Sequence, residues 1–153
     1  MLRFECDKDF SRPPQEVWDR LTDARFLARC IPDVDSVKEA TADRAVLILR
    51  PGFAFVRGTL EVTVQIAERT APSSAKITLV SKGIGSSSTV EAVLSLAPYG
   101  VTATHVNWVA EVKELGGLLK LVPSGLIRGA AQKVITDAWT AAEAIMGEAA
   151  SPE

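Results

Sequence analysis

One stretch constrains the fold more than any other: Ser124 to Gly147, SGLIRGAAQKVITDAWTAAEAIMG. Ile127, Ala131, Val134, Ala138, Ala142 and Ile145 recur at steps of three and four, the helical period. Ala130, Ile135, Trp139 and Met146 widen that stripe, and Arg128, Gln132, Thr136, Thr140 and Glu143 take the opposite side. At about 1.5 Å per residue such a helix runs roughly 36 Å, the span of a small domain. Ser124 is the expected N-cap, because its hydroxyl can accept from a free N–H of the first turn. The alanines in the apolar stripe let a sheet approach closely. The rest of the chain is therefore expected to wrap around this helix.

The 153 residues make one domain, with a ligand-binding unit over 1–147 and a short flexible tail over 148–153. A chain of this size buries about 70% of its unfolded surface, enough for a core. The 47% hydrophobic and 24% charged residues are ordinary for a globular protein. A net charge of −2 argues against nucleic acid as a partner, since that surface needs a basic patch. Cys6 and Cys30 both sit in apolar patterns, which favours buried reduced thiols over a disulfide. Neither a secretory pattern nor a run of roughly 18 apolar residues is present, so the expected location is the cytoplasm.

Leu2 to Phe10 alternates, with Leu2, Phe4, Cys6 and Phe10 on one side, and predicts a half-buried strand. Pro14 can open a short helix through Thr22, with Val17, Trp18 and Leu21 on one face. Asp23 is placed to cap a second short helix whose apolar side holds Phe26, Leu27 and Cys30, and Pro32 ends it. From Val34 to Glu114 the period is two. Strands are expected over Val34 to Lys38, Arg44 to Arg50, Val56 to Ile66, Ala75 to Lys82, Thr89 to Ala97 and Thr102 to Val112. Turns fall at Ala42-Asp43, Ala71 to Ser74 and Pro98-Tyr99-Gly100, and Gly116-Gly117 breaks the last strand.

Each strand hides one face and shows the other to water, the habit of an antiparallel sheet. The fold class is α+β: about seven antiparallel strands curved around a long C-terminal helix, with two short helices after the first strand. One helix lined with alanine cannot fill the concave side of such a sheet, so an apolar cavity is expected there. The candidate lining is Phe26, Ile31, Leu60, Val62, Val64, Leu94, Leu96, Val106, Trp108, Ile127, Ala131 and Ile135.

Several local pieces then take on meaning together. They are Glu16-Val17-Trp18-Asp19-Arg20-Leu21-Thr22-Asp23, Cys30-Ile31-Pro32, Gly58, Gly83-Ile84-Gly85, Thr104 with Trp108, and Gly117-Leu118-Leu119 leading to Leu126-Ile127. In this order they resemble the carbon monoxide dehydrogenase G-subunit family, within the START and birch-pollen-allergen (SRPBCC) helix-grip superfamily. The resemblance runs from about Phe4 to Ile145. It departs at Asp33, where the family usually has glycine after Ile-Pro, and at Pro123, where a more flexible residue is expected.

The resemblance implies a helper rather than a catalyst. It implies a hydrophobic small molecule, lipid or quinone-like, as ligand, and a molybdenum hydroxylase complex as protein partner. It also brings in peripheral contact with the inner face of the membrane. No cofactor and no metal are expected. The competing readings are a polyketide cyclase/aromatase-like enzyme or hydrolase of the same superfamily, and a protein-docking adaptor with a filled cavity.

His105, the single histidine, falls on the solvent face and is expected to be a plain surface residue. No Cys/His/carboxylate cluster has metal-ligand spacing. Gly83-x-Gly85 and Gly116-Gly117 are expected to serve turns, because neither opens a helix as a phosphate loop does. Asp19, Asp23 and Asp33 fit capping and solvation. The inward strand positions hold neither carboxylate nor histidine, which argues against proton chemistry; Thr102 and Thr104 are the nearest polar groups. A bulge would turn these faces over. Leu118 to Val122 fits core best, with a cavity lid or a membrane-touching patch as alternatives. As a lid it brings Lys120, Arg128 and Lys133 toward anionic head groups.

Overall fold

The computed structural model describes residues 2–31, 33–50, 58–71, 73–83, 85–98 and 102–150, without the side chains of 146–150. The alternating segments become seven strands: β1 (Arg3–Phe10), β2 (Val34–Ala40), β3 (Arg44–Leu49), β4 (Leu60–Thr70), β5 (Ser74–Gly83), β6 (Ser86–Pro98) and β7 (Thr104–Gly117). They form one antiparallel sheet in the order β1-β7-β6-β5-β4-β3-β2. Only β1 is out of sequence, joined to β7 at one end of the sheet. Between β1 and β2 stand α1 (Pro14–Leu21) and α2 (Ala24–Cys30), and the chain closes with α3 (Ser124–Ala150). This is the α+β helix-grip arrangement expected from the sequence.

Local chemistry sets the helix ends. Pro14 starts α1, where its missing N–H costs nothing. The Asp23 carboxylate accepts from the Arg25 N–H at 2.9 Å and caps α2. At α3 the capping expectation fails. Ser124 is already helical, and the Pro123 carbonyl accepts the first helical bond, from the Ile127 N–H at 3.2 Å. Proline suits that place because a capping residue is extended, as proline prefers. At its far end α3 runs three residues past Gly147, taking in the start of the expected tail; residues 151–153 lie outside the described set.

Strand ends also differ from expectation. β4 begins at Leu60, because Gly58 has φ 96 and forms a bend; Val56 and the tip of Pro98-Tyr99-Gly100 lie outside the described residues. β6 starts at Ser86 rather than Thr89, and β7 continues through Gly117 rather than stopping before it. Gly117 must be glycine there: φ is 62, and a Cβ would collide with the Gly85 carbonyl. β7 carries a bulge, since Thr89 pairs with Glu114 and Val90 with Val112, leaving Lys113 extra. The inward set therefore steps from Val112 to Leu115, a change of phase that strict alternation does not reveal.

The inner face of the sheet is the core. Leu47, Val64, Leu94 and Val106 are almost completely buried, each worth about 1.5–3 kcal/mol against leaving it exposed. α1 and α2 cover part of that face. α3 crosses the remainder, tied to β1 by Lys8–Glu143 at 3.6 Å and by the Arg128 guanidinium 5.2 Å over the Phe4 ring.

Candidate functional site

Between the sheet and α3 lies a cavity of about 360 Å³, within the roughly 300–1,000 Å³ common for small-molecule sites. Its existence follows from side-chain size. Where α3 faces the sheet it presents Ala130, Ala131, Val134 and Ala138, too short to reach the opposite wall. One end of the cavity is shut by large rings. Trp139 packs edge-on against Trp108 at 6.4 Å and lies 6.2 Å from Phe10.

Nine of the twelve candidate residues line this space: Ile31, Leu60, Val62, Val64, Leu94, Trp108, Ile127, Ala131 and Ile135. Phe26, Leu96 and Val106 do not; they are buried elsewhere in the core. Leu94 pairs with Trp108 and Leu96 with Val106, so the second pair lies one step beyond the aromatic end, where α1 approaches β6. Phe26 is placed toward α1, with the Arg20 guanidinium 5.8 Å over its ring, whereas Leu27, Cys30 and Ile31 of the same segment reach the cavity. A helical period identifies the apolar residues of α2 but not which of its two neighbours each one meets.

Sequence reasoning missed the polar part of the wall. Ser81 and Ser88 are opposite each other on β5 and β6, and both line the cavity with Oγ atoms 2.5 Å apart. The signal was available: Ser81 continues the inward series of Ile77 and Leu79, and Ser88 that of Leu94, Ala92 and Val90. Thr104, the polar residue singled out, is fully buried and spends its hydroxyl on the Arg12 carbonyl at 2.7 Å. Thr102 is exposed in a bend.

Asp33 marks a place where the cavity meets solvent, being both exposed and part of the lining. Its φ is 64, the left-handed region that glycine occupies freely and aspartate tolerates. That backbone is held by the Arg50 N–H, which donates to the Asp33 carbonyl at 2.9 Å. Asp23 caps α2 as expected, and Asp19 accepts from Gln15 at 2.8 Å.

The Leu118–Leu121 segment is not core. It forms a single 3₁₀ turn with Leu118 56% and Leu121 79% exposed, and Leu126 beyond it is exposed as well. Only Leu119 reaches the cavity. A shallow groove lies outside this turn, between the end of β7 and the start of α3, and shares Val112, Leu115, Leu119 and Ile127 with the cavity wall. Of the three basic residues considered there, Arg128 stacks on Phe4 and Lys133 pairs with Asp137 at 2.7 Å. Lys120 has no partner among the described residues.

Cys30 lines the cavity, and burial pushes its thiol up to about 11. Cys6 is half-buried, and its pKa is also raised, chiefly by burial. Both thiols are free. His105 stands on the outer face between Asp9 and Asp7, away from the cavity. Among the described residues no group of three His, Cys, Asp or Glu could hold a metal ion, and no helix is long and apolar enough to cross a membrane.

A family model described as the G subunit of carbon monoxide dehydrogenase (CoxG) matches residues 7–145. Solved structures share the fold. A conserved protein from Geobacillus kaustophilus superposes with a TM-score of 0.83 at 21% identity, covering 96% of both chains. A START superfamily protein from Mycobacterium smegmatis gives 0.69 at 10% identity, covering 95% of this chain and 97% of its own. The AHSA1 protein from Silicibacter pomeroyi gives 0.65 at 13%, covering 95% and 98%. No curated protein matches.

Proposed function

The chain belongs to the carbon monoxide dehydrogenase G-subunit (CoxG) family, and on that premise we propose that it is a non-catalytic carrier of a hydrophobic, lipid or quinone-like molecule. In this reading it assists a molybdenum hydroxylase, or the link of that enzyme to the membrane, from the cytoplasmic side. The observation that supports it is the cavity, about 360 Å³ with a wall that is almost entirely carbon. The mechanism is sequestration: an apolar ligand leaves water for that wall, at about 25 cal/mol per Å² of apolar surface removed. Membrane contact is assigned to the exposed Leu118, Leu121 and Leu126 beside Lys120, next to the groove that shares its wall with the cavity.

The open cavity weighs against an adaptor whose interior is filled. The cyclase or hydrolase reading needs acids or bases aimed at a substrate. The described lining offers two serine hydroxyls, the Cys30 thiol that burial keeps protonated and, at its edge, the Asp33 carboxylate, without a histidine. Native mass spectrometry of the purified protein, followed by solvent extraction, tests carriage. The expected result is a stoichiometric apolar adduct, or uptake of an added quinone or lipid. A bare mass with no uptake would sink the carrier reading and leave docking of the hydroxylase as the function to test.

A further inference from the structure

The Ser81–Ser88 pair bears on what kind of molecule the cavity takes. Each serine follows its strand's inward series by one period, so the two hydroxyls stand in a wall built from Leu79, Val90, Val62 and Leu115. In a hydroxyl–hydroxyl bond one group donates and the other accepts, and the accepting group keeps its own hydrogen. No further partner for either hydroxyl exists among the described residues. One O–H therefore remains to donate, strengthened because its oxygen already accepts. The charge of the lining points the same way. Among the described residues it contains no lysine, arginine or histidine; its acids are the Asp33 carboxylate at the edge and the Cys30 thiol, which burial keeps protonated and neutral.

We propose that Ser81 and Ser88 anchor the polar end of a neutral amphiphile, whose carbonyl, ether or hydroxyl oxygen accepts from the pair while its apolar body extends toward Trp139. The proposal rests on the carrier reading and narrows it. An anionic amphiphile such as a fatty acid is disfavoured, because its carboxylate would lie in an apolar wall without a counter-ion and with Asp33 at the edge. A neutral oxygen satisfies the spare O–H and brings no charge.

Displacement of the neutral dye Nile red by decanol, decane and decanoate at pH 8 tests this, with the three competitors matched in chain length. In the native protein decanol is expected to bind best and decanoate at least tenfold more weakly than decanol. In the double variant Ser81→Ala, Ser88→Ala, affinity for decanol should fall about three- to tenfold, the loss of one neutral hydrogen bond. Decane should be unaffected, a pattern that a purely structural serine pair would not produce. If the double variant folds poorly, Ser81→Ala, Ser88→Cys, which keeps a polar side chain but only a weak S–H donor, should lower decanol affinity in the same direction and spare decane. Equal decanol binding in native and variant proteins, or decanoate binding as tight as decanol, would overturn the proposal while leaving carriage intact. Failure of the dye and all three competitors to bind would remove carriage and this proposal together.

Discussion

The two ends of the cavity are built on opposite principles. At the aromatic end, Trp139, Trp108 and Phe10 fill the space between α3, β7 and β1, and Thr104 ties β7 to the Arg12 carbonyl just after β1. At the other end stand the 3₁₀ turn, Asp33 and the serine pair, where leucines face water and backbone sits at positive φ. The first end is continuous with the core and holds the sheet to the helix. The second has less packing to lose, and on the carrier reading it is where ligand selection and exchange take place. On that reading, stability and exchange are divided between the two ends of the cavity.

The sharpest way to break this contrast is to cut large side chains at both ends. Trp139→Ala removes a residue only 8% exposed that touches both other rings. It should cost about 3–5 kcal/mol in chemical denaturation, the range for a buried aromatic reduced to alanine. Leu118→Ser with Leu121→Ser should change stability by no more than about 0.5 kcal/mol each, as surface substitutions do. On the membrane-contact proposal, the native protein should float with anionic vesicles and the double variant should not. Equal destabilisation at the two ends would show that the 3₁₀ turn is part of the core after all. Retained flotation would remove it as the membrane contact.

What the sequence made legible follows the same division. The element order, the antiparallel sheet and the spanning helix all came from residues whose period is enforced by a packed partner. Val62, Val64, Leu94 and Ala131 face inward because nothing else is physically tolerable. The misreadings sit where that enforcement stops or changes hands. Leu118 and Leu121 look like core in composition, yet the turn at Gly117 carries them outward. Leu96 and Val106 obey the inward pattern but lie past the aromatic plug, a boundary set by the size of Trp139 far away in sequence. The serines escape a search for catalytic carboxylates and histidine, while a carrier needs only a spare hydrogen-bond donor.

Asp33 offers a smaller test at the open end. A non-glycine residue at φ 64 carries a conformational cost, reduced for aspartate but not abolished. Asp33→Gly restores the residue that the family resemblance leads one to expect. It should raise stability by up to about 1 kcal/mol, the relief of left-handed strain outweighing the extra freedom of glycine in the unfolded chain. The same change removes the acid at the cavity edge, so the discrimination between decanol and decanoate should narrow. A loss of stability would mean that the Asp33 side chain makes a stabilising contribution greater than its strain.

The least effect is expected on the outer face, where charge rather than packing is at work. His105 lies with Nδ1 2.6 Å from Asp9 and Nε2 3.1 Å from Asp7, and Asn107 donates to Asp7 and to Glu5 beside it. Hydrogen bonding to Asp9, then to Asp7, raises the His105 pKa above its ordinary value, while Asn107 and then His105 lower that of Asp7. For a raised histidine the stabilisation is complete below the unfolded value of about 6.5, and it fades as pH rises through the higher folded value. Because the site is exposed, the effect on unfolding should be slight and should shrink with added salt. Proton NMR reads it directly, since the chain has a single histidine. The native titration midpoint should lie above 6.5, the ordinary histidine value, and Asp9→Asn should bring it back toward that value. An unshifted native midpoint would mean that the two carboxylates do not hold the ring in solution. Ligand uptake should be indifferent to the whole titration, because His105 points away from the cavity on the far side of the sheet.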